Sequence, residues 1–284
     1  MDPISALDAF PSVRDREIVG LIAALLAYGN VKAILGGIDN ALARLGPPRA
    51  SLESMTEKKL LASFRSFRYR VTSGEELGAL LVGVRLVIRE HGSLNACFLT
   101  NLSPGDEDVV LALGGFVEEL QSAAGRDLRH LLPHPARGSA CKRLMLYLRW
   151  MVRRDAIDPG GWTGVSPSQL VVPLDVHLHR VARSLRLTSR RQPNLRTALE
   201  VTRALKRHRP DDPLRYDFAL TRPGILRVRA ETRAITTPLQ SGHAGPSHIR
   251  RESLRCGNAA GVSRASEPSL LGFRHGKTPG DVGA

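Results

Sequence analysis

Aromatic side chains are scarce in this chain, 5% of 284 residues, against a hydrophobic fraction of 42%. Leu, Val, Ala and Ile must therefore fill any core. Cysteine is almost lacking: Cys97, Cys141 and Cys256 are odd in number and widely spaced, with no CxxC pair. That argues against a disulfide framework or a cysteine-held cluster and suggests a reducing compartment. No apolar run reaches the ~18 residues of a spanning helix, so no membrane partner is expected. The opening "MDPISALDAFPSVRD" carries Asp early and has no apolar segment, so it does not read as a signal peptide. The expected setting is cytoplasmic, nucleoid-associated if the chain binds DNA. Alternating apolar and polar stretches of useful length are also missing, and the fold class expected is all-α.

One segment lacks negative charge. Residues 137–209 hold 16 Lys+Arg against 4 Asp+Glu, whereas residues 1–136 hold 14 against 16. The formal net charge of +14 thus comes mainly from the middle of the chain. So many cations in so short a span point to phosphate contacts and salt-sensitive binding. The plainer reading is a solvated basic surface, and the excess of Arg over Lys throughout fits it.

Helical spacing recurs along the chain. "DREIVGLIAALLAYGN" places Ile18, Leu21, Ile22 and Leu25 on one stripe, with Ser12 or Asp15 as N-cap and Gly29-Asn30 as the stop. "VKAILGGIDNALARLG" continues in helical register, weakened by Gly36-Gly37. "TEKKLLASFRSFRYR" and "SGEELGALLVGVRLVIREHG" follow, the latter opened by the capping-box pair Ser73 and Glu76. "DEDVVLALGGFVEELQSAAG" ends at Gly125. Beyond a Pro- and His-containing loop, one helix runs from Lys142 to about Arg153. A turn-rich connector, "AIDPGGWTGVSPSQLVVP", leads to a helix behind Asp175, and another spans roughly Leu195 to Lys206. Tyr28-Gly29 reads as a helix end, and Tyr216-Asp217-Phe218 as a lock for the last ordered helix.

Two helix starts draw the chemistry together. Gly138-Ser139-Ala140-Cys141-Lys142 opens one, and Val172-Pro173-Leu174-Asp175-Val176-His177 opens the other. Lys142 and Asp175 can then converge beside two helix N-termini that favour a phosphate. At these residues the chain resembles the helix–hairpin–helix DNA glycosylase superfamily, the endonuclease III and oxoguanine glycosylase group. "GSACKRLMLYLRWMV" and "VPLDVHLHRVARSL" follow that family's order, and "EIVGLIAALLAYGNVKAI" is similar to its early helix pair. A closer likeness, over residues 2–225, is to a bacterial family related to that superfamily whose activity is not established. It rests on "GSACKR", "LRWMVRRD", "PLDVH" and "YDFAL".

The resemblance implies a glycosylase-like fold over residues 1–225, two helical lobes around a cleft. It implies that Lys142 matches the catalytic lysine, attacking the sugar C1′ of a damaged nucleotide to form a Schiff base. Asp175 would stabilise positive charge on the sugar and handle protons. DNA-binding residues would be Gly138, Ser139, Arg143, Arg149, Arg153, His177, Arg180 and Arg183. Trp150, Tyr147, Trp162 or Tyr216 would stack on an extruded base. The partner is DNA, with RNA as the lesser alternative, and neither a metal nor a small-molecule cofactor is implied. The sequence departs from the pattern in three ways. Only Gly138 remains of the hairpin's two glycines, Lys142 and Asp175 stand 33 residues apart through an insertion-like "DAIDPGGWTGVSPSQ", and the four-cysteine cluster motif is missing.

Plainer readings stand beside these. Asp175 at a helix start can simply be a cap, worth ~1 kcal/mol, and one residue can cap and catalyse. Lys142 alone is an ordinary solvated lysine. His177 and His179 lie about 200° apart on a helix and cannot easily share an ion; His177 is expected to pack or hydrogen-bond near Asp175. Asp155 and Asp158 read as a helix-end and turn pair. Arg149, Arg153 and Arg154, with Arg180, Arg183 and Arg186, form either a phosphate-tracking face or a solvated one. The rival function is a non-catalytic nucleic-acid-binding protein that keeps the fold and the basic face. Residues 226–284 hold 8 Gly, 4 Pro, 6 Ser and one aromatic, and are expected to be a disordered basic tail. A change of coding frame is one account of the abrupt break before it.

Overall fold

The structure, a computed structural model, describes residues 2–217 and Leu220. The expected tail at 226–284 and Phe218 lie outside the described residues. Ten α-helices carry most of what is described: α1 (Val13–Leu25), α2 (Val31–Leu45), α3 (Pro48–Ser54), α4 (Glu57–Phe64), α5 (Gly74–His91), α6 (Leu94–Thr100), α7 (Val110–Ala124), α8 (Lys142–Val152), α9 (Val176–Ser184) and α10 (Leu195–Lys206). The fold is all-α. All described residues fall within one unit, Met1–Thr237.

Ser12 stands at the N-cap position of α1 but makes no side-chain cap bond, and Asn194, which the sequence did not single out, accepts from the Thr197 N–H at the start of α10. Ser73 and Glu76 close a reciprocal capping box on α5, with the Ser73 N–H donating to Glu76 Oε2 at 2.8 Å. Ser73→Ala is expected to lower stability by about 1 kcal/mol, read from urea unfolding. An unchanged midpoint would mean that water replaces the cap.

Two helices, α3 and α6, are not expected from the spacing, and one expected segment departs from the helical reading. "TEKKLLASFRSFRYR" is helical only to Phe64, then forms a short antiparallel pair, β1 (Arg68–Tyr69) and β2 (Thr72–Ser73). Arg70, at φ +52°, turns the chain between them. Tertiary contacts override the local preference here. The Tyr28 hydroxyl lies 2.7 Å from Thr72 Oγ1 and donates to the Tyr69 carbonyl at 3.1 Å. The Tyr69 ring covers Gly37 so closely that a Cβ there would meet it at 2.7 Å. The glycine that weakens α2 on paper is the one that seats this ring, and α2 runs unbroken past it.

α1 is the centre of the core. Every residue from Glu17 to Leu25 is buried, the pattern of a helix covered on all sides. It packs on α3, α6 and α8. Gly20 admits Tyr147 and Met151 of α8 at van der Waals distance. α5 packs on α4 and α7, and Gly83 lets the α7 backbone approach to where a Cβ would meet Leu120 O at 2.8 Å.

The connector between α8 and α9 is built into this core. Gly160 and Trp162 donate their backbone N–H groups to the Trp150 and Met151 carbonyls at 3.0 and 2.8 Å. These satisfy two of the orphan carbonyls at the end of α8. The Trp162 ring then lies among Phe98, Phe116 and Tyr147, and its Nε1–H donates to buried Glu17 at 3.3 Å. The segment that looked like an insertion over a cleft therefore anchors α1 to α7 and α8.

Candidate functional site

Lys142 and Asp175 meet. Lys142 is the first residue of α8, and its Nζ lies 3.0 Å from Asp175 Oδ2. Asp175 is the N-cap of α9, and its Oδ1 accepts the His177 and Leu178 N–H groups at 2.9 and 2.8 Å. The two carboxylate oxygens divide the work: one fastens a helix start, the other holds an amine. The lysine and aspartate side chains are 38% and 24% exposed, so solvent and a substrate can reach the pair. Burial pushes the Asp175 carboxyl up, but the Lys142 charge and the Leu178 N–H outweigh it and hold it below the usual range. At neutral pH this carboxylate is ionised, suited to face a cation and too weak a base to hold a proton.

The turn before α8 forms with one glycine. Gly138 takes φ +79° and is exposed, and its carbonyl accepts the Leu195 N–H at 3.0 Å. The other left-handed residue of the turn is Cys141, at φ +46° and ψ +37°. A β-carbon is disfavoured there, yet Cys141 is held from both ends. Its N–H donates to Ser139 Oγ at 3.1 Å and its thiol to the Pro133 carbonyl at 3.2 Å. Burial raises that thiol to about 11, so it is neutral and packed. Ser139 spends its hydroxyl on this turn.

The expected arginine face divides in two. Arg180 and Arg183 are exposed on α9, with Arg186 just beyond it. Arg149 and Arg153 are corrections: their side chains are only 7% and 5% exposed, and both are tied into carboxylates. Arg149 donates to Asp158 at 3.1 Å and to Asp217 at 2.7 Å. Arg153 donates to Asp158, to Asp212 at 2.9 and 3.0 Å, and to Asp155 at 2.8 Å. A guanidinium so engaged has no free edge for a phosphate. Arg143 is also committed. It donates to the Leu25 carbonyl at 2.6 Å and to the His130 carbonyl, and lies over the Tyr28 ring at 5.2 Å. It closes the C-terminal end of α1, where carbonyls lack partners.

Other expectations are corrected by burial. Tyr147, Trp150 and Trp162 are 0%, 3% and 5% exposed and belong to the core, leaving Tyr216, at 41%, as the accessible ring of the four. His177 is half-buried beside Asp175, bonded to it through its backbone N–H. His179 is buried, with Nε2 2.9 Å from the Arg190 carbonyl. Asp155 does shape the turn, accepting the Ile157 and Asp158 N–H groups at 2.8 Å each. Asp158, 0% exposed, is the hub of the ion-pair network.

That network reaches toward the site. Burial raises the Asp217 carboxyl, Arg149 opposes the rise, and the negative charge of Asp175 adds to it. The one sequence signal of Asp217 was its place in "YDFAL". Grooves of about 770, 460 and 380 Å³ open elsewhere, and neither Lys142 nor Asp175 lines any of them.

No helix among the described residues is long and apolar enough to cross a membrane. No curated protein and no solved structure matches the chain. Residues 2–226 match the model of a family described as protein of unknown function, DUF2400. With that match spanning most of its length, the chain belongs to the DUF2400 family.

Proposed function

We propose that this protein is a DNA glycosylase-like enzyme of the base-excision type, acting on damaged bases or abasic sites. The single observation that carries the reading is the 3.0 Å contact between Lys142 Nζ and Asp175 Oδ2 at two adjoining helix N-termini. The resemblance to the helix–hairpin–helix glycosylases supports it, with a two-lobed fold and a cleft between the lobes as part of the proposal. The target base leaves the stack to be reached. The Lys142 ammonium loses its proton to solvent by way of Asp175 Oδ2, and the freed amine attacks C1′ as the N-glycosidic bond breaks and its electron pair departs with the base. At an existing abasic site the amine adds to the aldehyde carbon, and water leaves as the Schiff base forms. Proton removal by way of a positioned carboxylate activates the nucleophile. Arg180 and Arg183, exposed on the helix that Asp175 caps, supply cations for the flanking phosphates.

Borohydride trapping tests this. The full chain, incubated with duplex DNA carrying one abasic site, should form a covalent adduct when the iminium is reduced. Trapping should fall as salt rises, because phosphate contacts bring the strand to the amine. A second reading is favoured by one observation: Asp175 Oδ1 is fully used as a cap, so the pair can also latch α8 to α9 in a protein that only binds. Salt-sensitive binding with neither trapping nor base release from damaged duplexes would assign that role and sink the enzymatic one.

A further inference from the structure

A second group of reactive side chains lies away from Lys142 and Asp175, where α5, α6 and α7 meet. α5 ends at His91, Gly92 takes a left-handed turn at φ +87°, and Ser93 caps α6 by accepting the Ala96 N–H. This abrupt reversal returns Cys97 of α6 to the neighbourhood of His91. Glu119 comes from α7, which packs on both helices. The three side chains offer one imidazole nitrogen, one sulfur and one carboxylate oxygen, all within 4.8 Å of one another.

We propose that His91 Nε2, Cys97 Sγ and Glu119 Oε2 form a binding site for a zinc-class divalent ion, with the fourth coordination position open to a surface groove. The spacing is close to that of donors around one ion. Tetrahedral donors about 2.0–2.3 Å from a zinc ion stand about 3.3–3.5 Å from each other. Here Sγ to Oε2 is 3.3 Å and Nε2 to Oε2 is 2.7 Å. An ion would require the His91–Glu119 edge to open by a few tenths of an ångström, while the Nε2–Sγ edge lies within 4.8 Å. His91 Nε2 is buried and meets no acceptor along its hydrogen-bonding direction, although Glu119 is so near.

Burial and charge fit the same reading. Cys97 is fully buried, while the His91 and Glu119 side chains are 16% and 30% exposed. The sulfur thus forms the floor, and the other two donors form the rim of a groove of about 770 Å³. On binding, the thiol proton leaves to solvent. One thiolate and one carboxylate then neutralise the ion's two positive charges, and imidazole adds no charge. A sulfur and a nitrogen donor disfavour magnesium and calcium, which take oxygen ligands.

An outer layer orients the carboxylate. Asn101 Nδ2 donates to Glu119 Oε1 at 2.7 Å and to the Cys97 carbonyl at 3.1 Å, leaving Oε2 to face sulfur and imidazole. Asn101 fits because position 115 is glycine: a Cβ there would meet Asn101 Oδ1 at 2.1 Å. Partners of this kind fix ligand geometry, and their loss typically weakens metal binding about 10–100-fold.

The test is a titration of the untagged full chain with Co2+, followed by absorption and competed with Zn2+ and Mg2+. One equivalent should bind with a thiolate-to-cobalt charge-transfer band. Zn2+ should displace it and a large excess of Mg2+ should not. Cys97→Ser should abolish the band, whereas Cys141→Ser and Cys256→Ser should retain it. Because Cys97 is buried, His91→Asn and Glu119→Gln, at more exposed positions, should weaken binding at least 100-fold with an unchanged circular dichroism spectrum. Gly115→Ala should weaken it about 10–100-fold by displacing Asn101. No band at one equivalent, a band that survives in Cys97→Ser, or undiminished affinity in His91→Asn would overturn the site and leave the trio a hydrogen-bonded packing contact.

Discussion

On the proposed glycosylase chemistry, Lys142→Ala is expected to abolish borohydride trapping on abasic DNA, and Asp175→Asn to reduce turnover by about 10²–10⁴-fold while leaving binding in place. The second variant is informative because of how Asp175 divides its oxygens. Asn caps a helix about as well as Asp, so the bonds from the His177 and Leu178 N–H groups persist. What changes is the partner of Lys142 Nζ, a charged acceptor at 3.0 Å replaced by a neutral amide. The lysine then has no adjacent carboxylate to relay its proton, and positive charge developing on the sugar loses its counterion. Rates would be measured by single-turnover base release and by trapping, and affinity by anisotropy at two salt concentrations. If Asp175→Asn binds normally and turns over at the native rate, Asp175 is a cap only. A Lys142→Ala protein that still traps would place the nucleophile elsewhere.

The second large effect is structural. Asp158→Ala is expected to cost about 3–5 kcal/mol, because removing one member of a buried ion-pair group leaves its partners uncompensated. Asp158 Oδ2 accepts from both Arg149 and Arg153, and all three side chains are 7% exposed or less. Burial raises the Asp158 carboxyl even though Arg149 and Arg153 pull it down, so the anion stays there only because the guanidiniums do. Arg153 is in the converse position: burial works against its charge, and Asp212, Asp158 and Asp155 more than restore it. Equilibrium urea unfolding, followed by circular dichroism, would measure the loss. A change below about 1 kcal/mol would mean that water reaches the freed guanidiniums and that the group is no internal clasp. The network joins α8 to residues 155–158 and to Asp212 and Asp217, so the same variant should also loosen α8, which carries Lys142.

Local chemistry made much of this molecule legible in advance. The capping box at Ser73 and Glu76, the Asp175 cap and the span Leu195–Lys206 follow from short-range rules, since a helix start needs acceptors for its first N–H groups within a few residues. The pairing of Lys142 with Asp175 was legible for another reason: both were expected at helix starts, in a segment order that resembles a known superfamily. The fate of each arginine was not legible in this way. Arg149 and Arg183 are chemically the same residue on helices of similar pattern, yet one is buried and the other solvated. The difference lies in Asp158 and Asp217, the latter 68 positions away from Arg149. Nor does a turn-rich connector announce that Trp162 enters the core, or a glycine pair that Tyr69 seats on it. Residues 91, 97 and 119 form no motif, and they meet only because Gly92 reverses the chain and α7 packs alongside. Sequence alone placed most of the long helices and the caps at Ser73 and Asp175, and with the resemblance it singled out Lys142 and Asp175. Tertiary structure decided which charges face solvent, because burying a cation is tolerable only where distant parts of the chain deliver an anion to it.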